Sequence, residues 1–354
     1  MNDIHTNVWV VDENVDNLES CAQITESAEL LQKNEVVAFP TETVYGLGGN
    51  ALSEIAIAKI FKAKGRPADN PLIVHVSSVS QLDQLVKHIP ESARPLIEAF
   101  WPGPLTIVMP GGAQVASNVT AGLDTVAIRM PDHPVARALI HKSGIPLAAP
   151  SANLSGKPSP TTAAHVYEDL KGRIAGVVDG GPTGVGVEST VVDCTGDVVT
   201  ILRPGGITRE QLEEVVGKVS VDPALSNEGQ APKSPGVKYK HYAPQAPFTL
   251  VEGDTEAIQS LVNEAKTEGK KVGVLATEES KHHYDADLVI SCGTRKDLAT
   301  VANRLYDVLR AFDKENVDVI YGETFPTSGM GEAVMNRLMK AANGRIIKKE
   351  FLGN

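Results

Sequence analysis

Apolar residues follow two alternating periods through the first half of the chain. Residues 18 to 33 have helical spacing and lead into the short apolar run EVVAFP. Ser53, a favoured N-cap residue, precedes a second helical stretch in which Ile57, Ile60 and Phe61 share one face. The strand candidates PLIVHV, LTIVMP, TVAIRMP and IPLAAP follow, separated by helical segments near 78 to 87, 91 to 100 and 133 to 143. This alternation predicts an α/β layer.

From residue 175 the pattern changes to closely spaced strands. The runs AGVVDGG, STVVDCT and VVTILRP are joined by short turns that contain glycine. Such spacing is typical of an antiparallel meander, so we predict a mixed sheet with flanking helices.

Residues 220 to 247 lose this periodicity and collect Pro, Ser, Gly and Lys, as a linker does. Beyond them, FTLVEG, KVGVLAT, ADLVISCG and VDVIYGETF alternate with helical stretches at 254 to 268, 295 to 314 and 331 to 342. We therefore predict a larger first domain over 1–219, a linker over 220–247, and a smaller Rossmann-like domain with a parallel sheet over 248–354.

Composition narrows the class of protein. The chain has 354 residues and a formal net charge of −11, so as a whole it repels nucleic acid and anionic membranes. Its three cysteines are far apart in sequence and fit reduced thiols. The N-terminus has no signal-like apolar core, and no segment is long and apolar enough for a membrane span. We expect a cytoplasmic protein.

The run KAKGRPADNPLIVHV, residues 62 to 76, gathers cations beside a predicted strand end. Lys64 and Arg66 close a helical pattern that Pro67 is expected to stop, and such cations bind phosphate or carboxylate. The alternative is a solvated helix end whose cations complement the helix dipole. Arg129 and Arg203 also lie at predicted strand ends, where long cations either snorkel to solvent or converge on an anionic ligand.

Two further segments carry polar donors directly after strands. In PTETVYGLGGN, Thr41 and Thr43 can donate to an oxyanion and three glycines allow close backbone approach, while APSANLSGKPSPT resembles an anion nest. Either segment can equally be a structural turn. His75 stands alone after an apolar strand, a setting more typical of a structural histidine.

Several catalytic motifs are absent from the sequence. It contains no GxxxxGK[ST] P-loop, no HExxH and no GxSxG elbow. Cations, hydroxyls and backbone amides remain, and these suit phosphoryl or nucleotidyl transfer by positioning and electrostatic stabilisation.

Seven motifs occur in one order: PTETVYGLG, KGRPADNPL, the strand with Arg129, PSANLSGKPSPT, VESTVVD, ILRPGGI and SPGVKYKHYAP. In this order the chain resembles the threonylcarbamoyl-AMP synthase family, in its long form, Sua5, from about residue 14 to the end. No motif position departs from the family pattern.

The resemblance implies a YrdC-like first domain and a nucleotidyltransferase that makes threonylcarbamoyl-adenylate and pyrophosphate from L-threonine, bicarbonate and ATP, with Mg²⁺. The product would pass to the proteins that form N6-threonylcarbamoyladenosine at position 37 of tRNAs reading codons that begin with A. The resemblance assigns no direct tRNA contact, no metal ligand and no role for the last domain.

The resemblance also implies site residues. Those expected to hold threonine are Thr41, His75, Arg129, Ala149 and Ser189. Those expected to hold ATP are Lys64, Arg66, Asn70, Thr125, Ser151, Asn153, Ser159, Arg203 and Tyr239. Lys64 and Arg66 would be catalytic, and Tyr239 would fold over the cavity, with Tyr242 as the competing candidate.

Two other functions are compatible with parts of this pattern. A sheet with a basic concave face can bind structured RNA, which would make the protein an RNA-binding or ribosome-maturation module, although the net charge opposes it. A carbamoyl-transfer module of the hydrogenase-maturation type shares the same domain family. That type would bring acylphosphatase and zinc-finger segments, which this chain lacks.

Overall fold

The structure, a computed structural model, describes residues 4–225 and 241–348. These residues form two compact units. The first comprises 4–155, 159–184 and 188–225, and the second comprises 156–158, 185–187 and 241–348.

One mixed sheet forms the centre of the first unit. Its strands are β1 (Asn7–Val10), β2 (Val37–Phe39), β3 (Gly46–Asn50), β4 (Ile73–His75), β5 (Leu105–Pro110), β6 (Thr125–Arg129), β7 (Leu147–Ala148), β8 (Gly176–Asp179), β9 (Thr190–Asp193), β10 (Thr200–Arg203) and β11 (Ser220–Val221). Their order is β1-β8-β2-β3-β7-β4-β6-β5-β9-β10-β11. β4 runs parallel to β6, whereas β5 runs antiparallel to it, so the predicted mixed sheet is confirmed.

Helices cover both faces of this sheet. They are α1 (Ala22–Gln32), α2 (Glu54–Lys64), α3 (Leu82–Leu85), α4 (Ala93–Phe100), α5 (Ser117–Thr120), α6 (Pro134–Ser143), α7 (Ala163–Leu170) and α8 (Arg209–Val216). Successive residues of β2 enter different buried clusters, because Val37 and Phe39 point to one face of the sheet and Ala38 to the other.

Helix α2 begins and ends for local reasons. The Ser53 side chain accepts a hydrogen bond from the backbone of Ala56, as predicted for an N-cap. The helix ends at Gly65, which adopts a left-handed conformation with φ of 62°. The stop therefore comes two residues before Pro67, the residue expected to end the helix.

The predicted antiparallel meander from residue 175 is wrong in its first strand. β9 and β10 do form an antiparallel pair. β8, however, lies between β1 and β2 and is parallel to both, far from β9 in the sheet order. Short connections suggested adjacency, but burial on both faces of β8 requires the interior position between two other strands.

Gly205 marks a close approach of two backbone segments. A Cβ at this position would lie 2.3 Å from the Glu188 carbonyl oxygen and 2.4 Å from the Thr190 nitrogen. We expect Gly205→Ala to lower the free energy of unfolding by about 1–3 kcal/mol, since backbone must shift to admit the methyl group. Gly196→Ala is the matched control, because nothing lies within 4 Å of its Cβ position. Urea denaturation measures both, and equal stability of the two variants would contradict this packing.

The second unit contains a parallel sheet. Its strands are β12 (Phe248–Val251), β13 (Val272–Ala276), β14 (Leu288–Ser291), β15 (Val319–Glu323) and β16 (Ile346–Ile347), and its helices are α9 (Thr255–Thr267), α10 (Leu298–Glu315) and α11 (Met330–Ala341). The strand order is β14-β13-β15-β12-β16, and each strand is parallel to its neighbours. The predicted smaller domain of parallel-sheet type is confirmed.

Two contacts tie chain segments into the second unit. Arg310 of α10 donates from Nη2 to the Pro158 carbonyl oxygen at 2.6 Å. The ring of Tyr242 packs 5.1 Å, centroid to centroid, from Tyr306 of the same helix. These contacts explain why residues 156–158 cluster with this unit rather than with their sequence neighbours.

Most of the predicted linker, residues 226–240, lies outside the described residues. Ser220 and Val221, placed at the start of the linker, pair in parallel with β10 as the edge strand β11. Across residues 4–225 and 241–348, no helix has the length and apolar character required to cross a membrane.

Candidate active site

The turn after β2 is built around the Thr41 hydroxyl. This hydroxyl donates to the Val44 carbonyl oxygen at 2.6 Å and accepts from the backbone nitrogens of Thr43 and Val44. Its single hydrogen is therefore in use, and the Thr43 hydroxyl must be the donor in the 2.9 Å contact between the two threonines. Thr41 therefore organises the turn.

Arg129, at the end of β6, is buried and held in a fixed orientation. Its Nε donates to the Gly103 carbonyl oxygen at 3.2 Å, and its Nη1 donates to the Thr43 hydroxyl at 2.9 Å. Nη2 lies 2.6 Å from a carboxylate oxygen of Glu42. An arginine carries five N–H donors, so this arrangement leaves donors on the outer edge of the guanidinium for a further anion.

His75 lies beside Arg129, because β4 and β6 are parallel and the two residues are register partners. Its Nδ1 lies 3.2 Å from the Ile73 carbonyl oxygen, and its ring meets Phe39 edge-on with centroids 6.1 Å apart. Burial, together with the charge of Arg129, lowers the pKa of His75 to about 3. The imidazole is therefore neutral and contributes shape and hydrogen bonding rather than charge.

This histidine should make stability depend on pH. The folded protein keeps His75 unprotonated down to a pKa of about 3, whereas its ordinary value is 6.5. Its contribution is complete above the unfolded value and is lost as pH falls, because only the unfolded chain takes up the proton. Between pH 7.5 and 5 we expect the free energy of unfolding to fall by about 2 kcal/mol through this residue.

Urea denaturation at the two pH values measures the effect. His75→Asn should remove that part of the pH dependence, while His88→Asn, at an exposed position, should leave it unchanged. An equal loss of stability in His75→Asn and in the unsubstituted protein would contradict the assignment.

Lys64 closes α2 and points into the loop that follows β7. Its Nζ donates to the carbonyl oxygens of Ser151 and Asn153, the latter at 2.8 Å, and lies 3.5 Å from the Asn153 side-chain oxygen. Burial lowers its pKa, as does Arg66, while Asp169 and Glu188 oppose that shift. As bonded here, the ammonium holds the loop in place.

Arg66 and Asn70 flank the next turn. Arg66 donates from Nη2 to the Asn70 carbonyl oxygen at 3.3 Å, and its guanidinium lies 5.9 Å from the centroid of the Phe61 ring. The Asn70 side chain is 1% exposed, and neither its amide nitrogen nor its oxygen has a hydrogen-bond partner among residues 4–225 and 241–348. A buried amide without partners is costly unless a ligand or water completes it.

Two more residues predicted to bind ATP, Ser159 and Arg203, form hydrogen bonds with residues of the VESTVVD segment. The Ser159 hydroxyl donates to Glu188 at 2.6 Å. Arg203, at the end of β10, donates from Nη2 to both the carbonyl oxygen of Ser189, at 2.9 Å, and its hydroxyl, at 3.2 Å. The polar side chains expected from VESTVVD and ILRPGGI thus lie side by side.

A short segment connects the group around Arg129 to this second group. The Gly103 carbonyl oxygen accepts from Arg129, and the next carbonyl oxygen, of Pro104, accepts from the Thr190 nitrogen at 3.0 Å. Ser189 precedes Thr190 and bonds the Thr106 hydroxyl at 2.7 Å. Ala149 joins the same region, since its nitrogen donates to the Ile73 carbonyl oxygen at 2.9 Å.

Two of the predicted residues that the structure describes, Thr125 and Tyr242, are not joined to this network by the contacts above. Thr125 begins the strand that Arg129 ends, roughly 13 Å away by the rise of four strand residues, and the contacts described here do not join it to the others. Tyr239 lies outside the described residues. Tyr242 is buried against Tyr306 in the second unit.

Two acidic side chains contact the predicted residues but were not selected from the sequence. Glu42 contacts Arg129, and Glu188 contacts Ser159, yet neither acid was a candidate. Their positions inside PTET and VEST, each beside a predicted contact, were the available signal. Gly48 of PTETVYGLGGN also has a packing role, since a Cβ at this position would lie 2.7 Å from the Phe39 ring.

Comparisons with known proteins agree with this geometry. The family model described as telomere recombination, Sua5/YciO/YrdC, matches residues 29–205, and the model described as threonylcarbamoyl-AMP synthase, C-terminal domain, matches 207–343. The chain is 58% identical over 344 residues to threonylcarbamoyl-AMP synthase of Bacillus subtilis strain 168, covering 97% of this chain and 99% of the relative. It is 50% identical to that of Pyrococcus abyssi, covering 92% and 96%.

A solved structure extends the likeness to three dimensions. The crystal structure of P. abyssi Sua5 complexed with L-threonine superposes with a TM-score of 0.92 at 48% identity, covering 97% of this chain and 99% of the other. The mixed sheet and the smaller parallel sheet define a two-domain α/β protein of the Sua5/YrdC class. The chain belongs to the threonylcarbamoyl-AMP synthase family, in its long Sua5 form. The resemblance drawn from the motifs is confirmed, and with it the prediction of an enzyme.

Proposed function

We propose that this protein converts L-threonine, bicarbonate and ATP to threonylcarbamoyl-AMP and pyrophosphate, for the threonylcarbamoyl modification of tRNA. The observation that carries the proposal is the placement of Arg129, buried with donors still available, next to a separate group of nucleotide-type donors. Relatives named for this activity, and a related structure with L-threonine bound, support it.

The first group would bind the amino acid. Arg129 offers its outer edge to the carboxylate, and Thr43 and Gly103 hold the guanidinium in that orientation. His75, being neutral, can lie against the threonine side chain without repelling Arg129. Ala149, Ser189 and the Thr41 turn would complete this side of the site.

The second group would bind ATP. Lys64 supports the nucleotide loop by bonding Ser151 and Asn153, so that loop hydroxyls and amides face the phosphates. Arg66 and the unpartnered Asn70 side chain would contact the nucleotide directly. We assign Ser159, Arg203 and Thr125 to the same ligand, and Tyr239 to its cover.

The chemistry needs no enzyme nucleophile. Bicarbonate loses hydroxide to give carbon dioxide, and the threonine ammonium loses one proton to become a free amine. The amine attacks the carbon of carbon dioxide and loses a second proton, so that water and one proton leave to solvent. The carbamate oxygen then attacks the α-phosphorus of ATP, and the bond from this phosphorus to pyrophosphate breaks. Negative charge grows on the phosphoryl oxygens and the leaving group, and Arg66 with the Lys64 loop would stabilise it. Exclusion of water would protect the carbamate and the adenylate.

Mg²⁺ is expected as the companion of ATP. This ion usually keeps several waters and binds substrate phosphates with one or two carboxylates. Within residues 4–225 and 241–348 no group of three or more metal-ligating side chains occurs. Glu188, at the Ser159 hydroxyl, is the carboxylate that would fit beside a phosphate-bound ion.

Pyrophosphate release tests the function. Purified protein given threonine, bicarbonate, Mg²⁺ and ATP should release pyrophosphate, and mass spectrometry should detect threonylcarbamoyl-AMP. Omission of threonine or bicarbonate provides the controls. Release no greater than in the reaction without threonine would overturn the proposal.

A further inference from the structure

The Glu42 carboxylate is buried with an incomplete set of partners. Its side chain is 14% exposed, and one oxygen lies 2.6 Å from Arg129 Nη2. Both carboxylate oxygens are shielded from solvent, and neither accepts a hydrogen bond from any residue within 4–225 or 241–348. Arg129 and Glu42 therefore form an ion pair, but the angle between them does not allow a hydrogen bond.

Such a carboxylate favours a ligand with N–H donors. In water an ionised carboxylate accepts several hydrogen bonds. Burial removes them, and this costs substantial free energy unless other donors replace them. Water could supply two of these hydrogen bonds. When a ligand carboxylate also binds Arg129, however, two negative groups share one arginine charge, and a positively charged donor group would balance the excess. The position therefore suits an ammonium group.

The pair formed by Glu42 and Arg129 matches both charges of an amino acid. In an α-amino acid the ammonium and the carboxylate are attached to the same carbon atom. Arg129 presents unused donors to the carboxylate, and Glu42, in ion-pair contact with it, presents unused acceptors. Arg129 and Glu42 are in direct contact, so one small ligand can reach both side chains.

Neighbouring groups do not neutralise Glu42 in another way. His133 lies close enough to feel its charge, but burial lowers the His133 pKa, while Glu13, Glu42 and Asp132 act in the opposite direction. His75 is likewise neutral, with a pKa of about 3. Neither histidine provides a second positive charge near neutral pH.

We propose that Glu42 receives the α-ammonium of the amino-acid substrate and sets the requirement for an α-amino group. The inference rests on the proposed function, because it takes Arg129 as the receptor of the carboxylate. It assigns a specificity role to the acid of the PTET segment, next to Thr43.

The test compares two ligands that differ at one group. L-Threonine and 2,3-dihydroxybutanoate of matching configuration, in which a hydroxyl replaces the ammonium, are titrated calorimetrically into the full-length protein. We expect the analogue to bind at least about 10-fold more weakly, as is typical when a charged hydrogen bond is lost. Equal affinity for the two ligands in the unsubstituted protein overturns the inference without any variant.

Variants then separate recognition from structural support. Glu42→Gln should weaken threonine binding by about 10- to 100-fold and change analogue binding by less than about 3-fold. Glu98→Gln, at an exposed position of α4, is the control and should change neither. Glu42→Asp, which keeps the charge, should retain a preference for threonine if Glu42→Gln folds poorly.

The contrary outcomes are distinct. If Glu42 serves only to hold Arg129, Glu42→Gln weakens the binding of both ligands equally. This result overturns the assignment of the ammonium group to Glu42. Unchanged threonine binding in Glu42→Gln also overturns it. Absence of threonine binding to the unsubstituted protein in the presence of ATP contradicts the proposed function itself, and the inference with it.

Discussion

Replacing Arg129 with lysine should lower kcat/KM for threonine by about 10²- to 10³-fold. Lysine keeps the charge but has one nitrogen, so it cannot bond Gly103, Thr43 and a substrate carboxylate together. The guanidinium does so because its donors point in several directions within one plane. Initial rates of pyrophosphate release over a range of threonine concentrations measure the loss.

Controls separate this effect from general damage. Arg137→Lys, at an exposed position of α6, makes the same chemical change and should leave the rates unaltered. Thermal unfolding of Arg129→Lys shows whether the buried site still folds. A folded Arg129→Lys protein with ordinary threonine kinetics would remove Arg129 from the amino-acid site.

Replacing Arg66 with alanine should reduce the rate of pyrophosphate release by about 10²-fold or more, if the guanidinium stabilises the transition state. Arg66 is half-buried, and its contacts with the Asn70 carbonyl oxygen and the Phe61 ring orient it. A preorganised cation of this kind acts on charge that develops during phosphoryl transfer. Rates at saturating threonine and ATP report this effect apart from substrate binding.

Lys62→Ala is the matched control for Arg66. Lys62 is an exposed cation in the last turn of the same helix, so its removal changes the net charge equally without touching the site. A similar loss in both variants would indicate a general electrostatic effect. An unchanged rate in Arg66→Ala would show that Arg66 has no part in the reaction.

Local sequence patterns predicted most helices and strands well. Helix α2 illustrates the reason, because its N-cap, its apolar face and its end depend on residues within a few positions of one another. The smaller parallel sheet was also predictable, since its strands are mainly apolar and alternate with helices. Strand partners were harder, and β8 was assigned to the wrong neighbours because nothing in a short apolar run specifies what lies beside it.

The candidate site residues likewise differ in how far the local sequence could predict them. Arg129 and Arg203 could be selected as candidates from the residues alone, because a cation that ends an apolar strand is unusual. Asn70, Ala149 and Ser189 came only from the family resemblance. Glu42 came from neither, since an acid inside a turn has no distinguishing local pattern.

The sequence by itself determined the α/β class, the two-domain arrangement, the family and the set of cations and hydroxyls available for chemistry. These follow from periodicity, turn residues and motif order, which are properties of neighbouring positions. Only the tertiary structure decided what each side chain does: Lys64 supports a loop, His75 is neutral, and Glu42 lies against Arg129 with its oxygens unpartnered. The physical reason is that burial and pairing between residues far apart in the chain set charge, orientation and unmet hydrogen bonds, and these exist only once the strands have assembled.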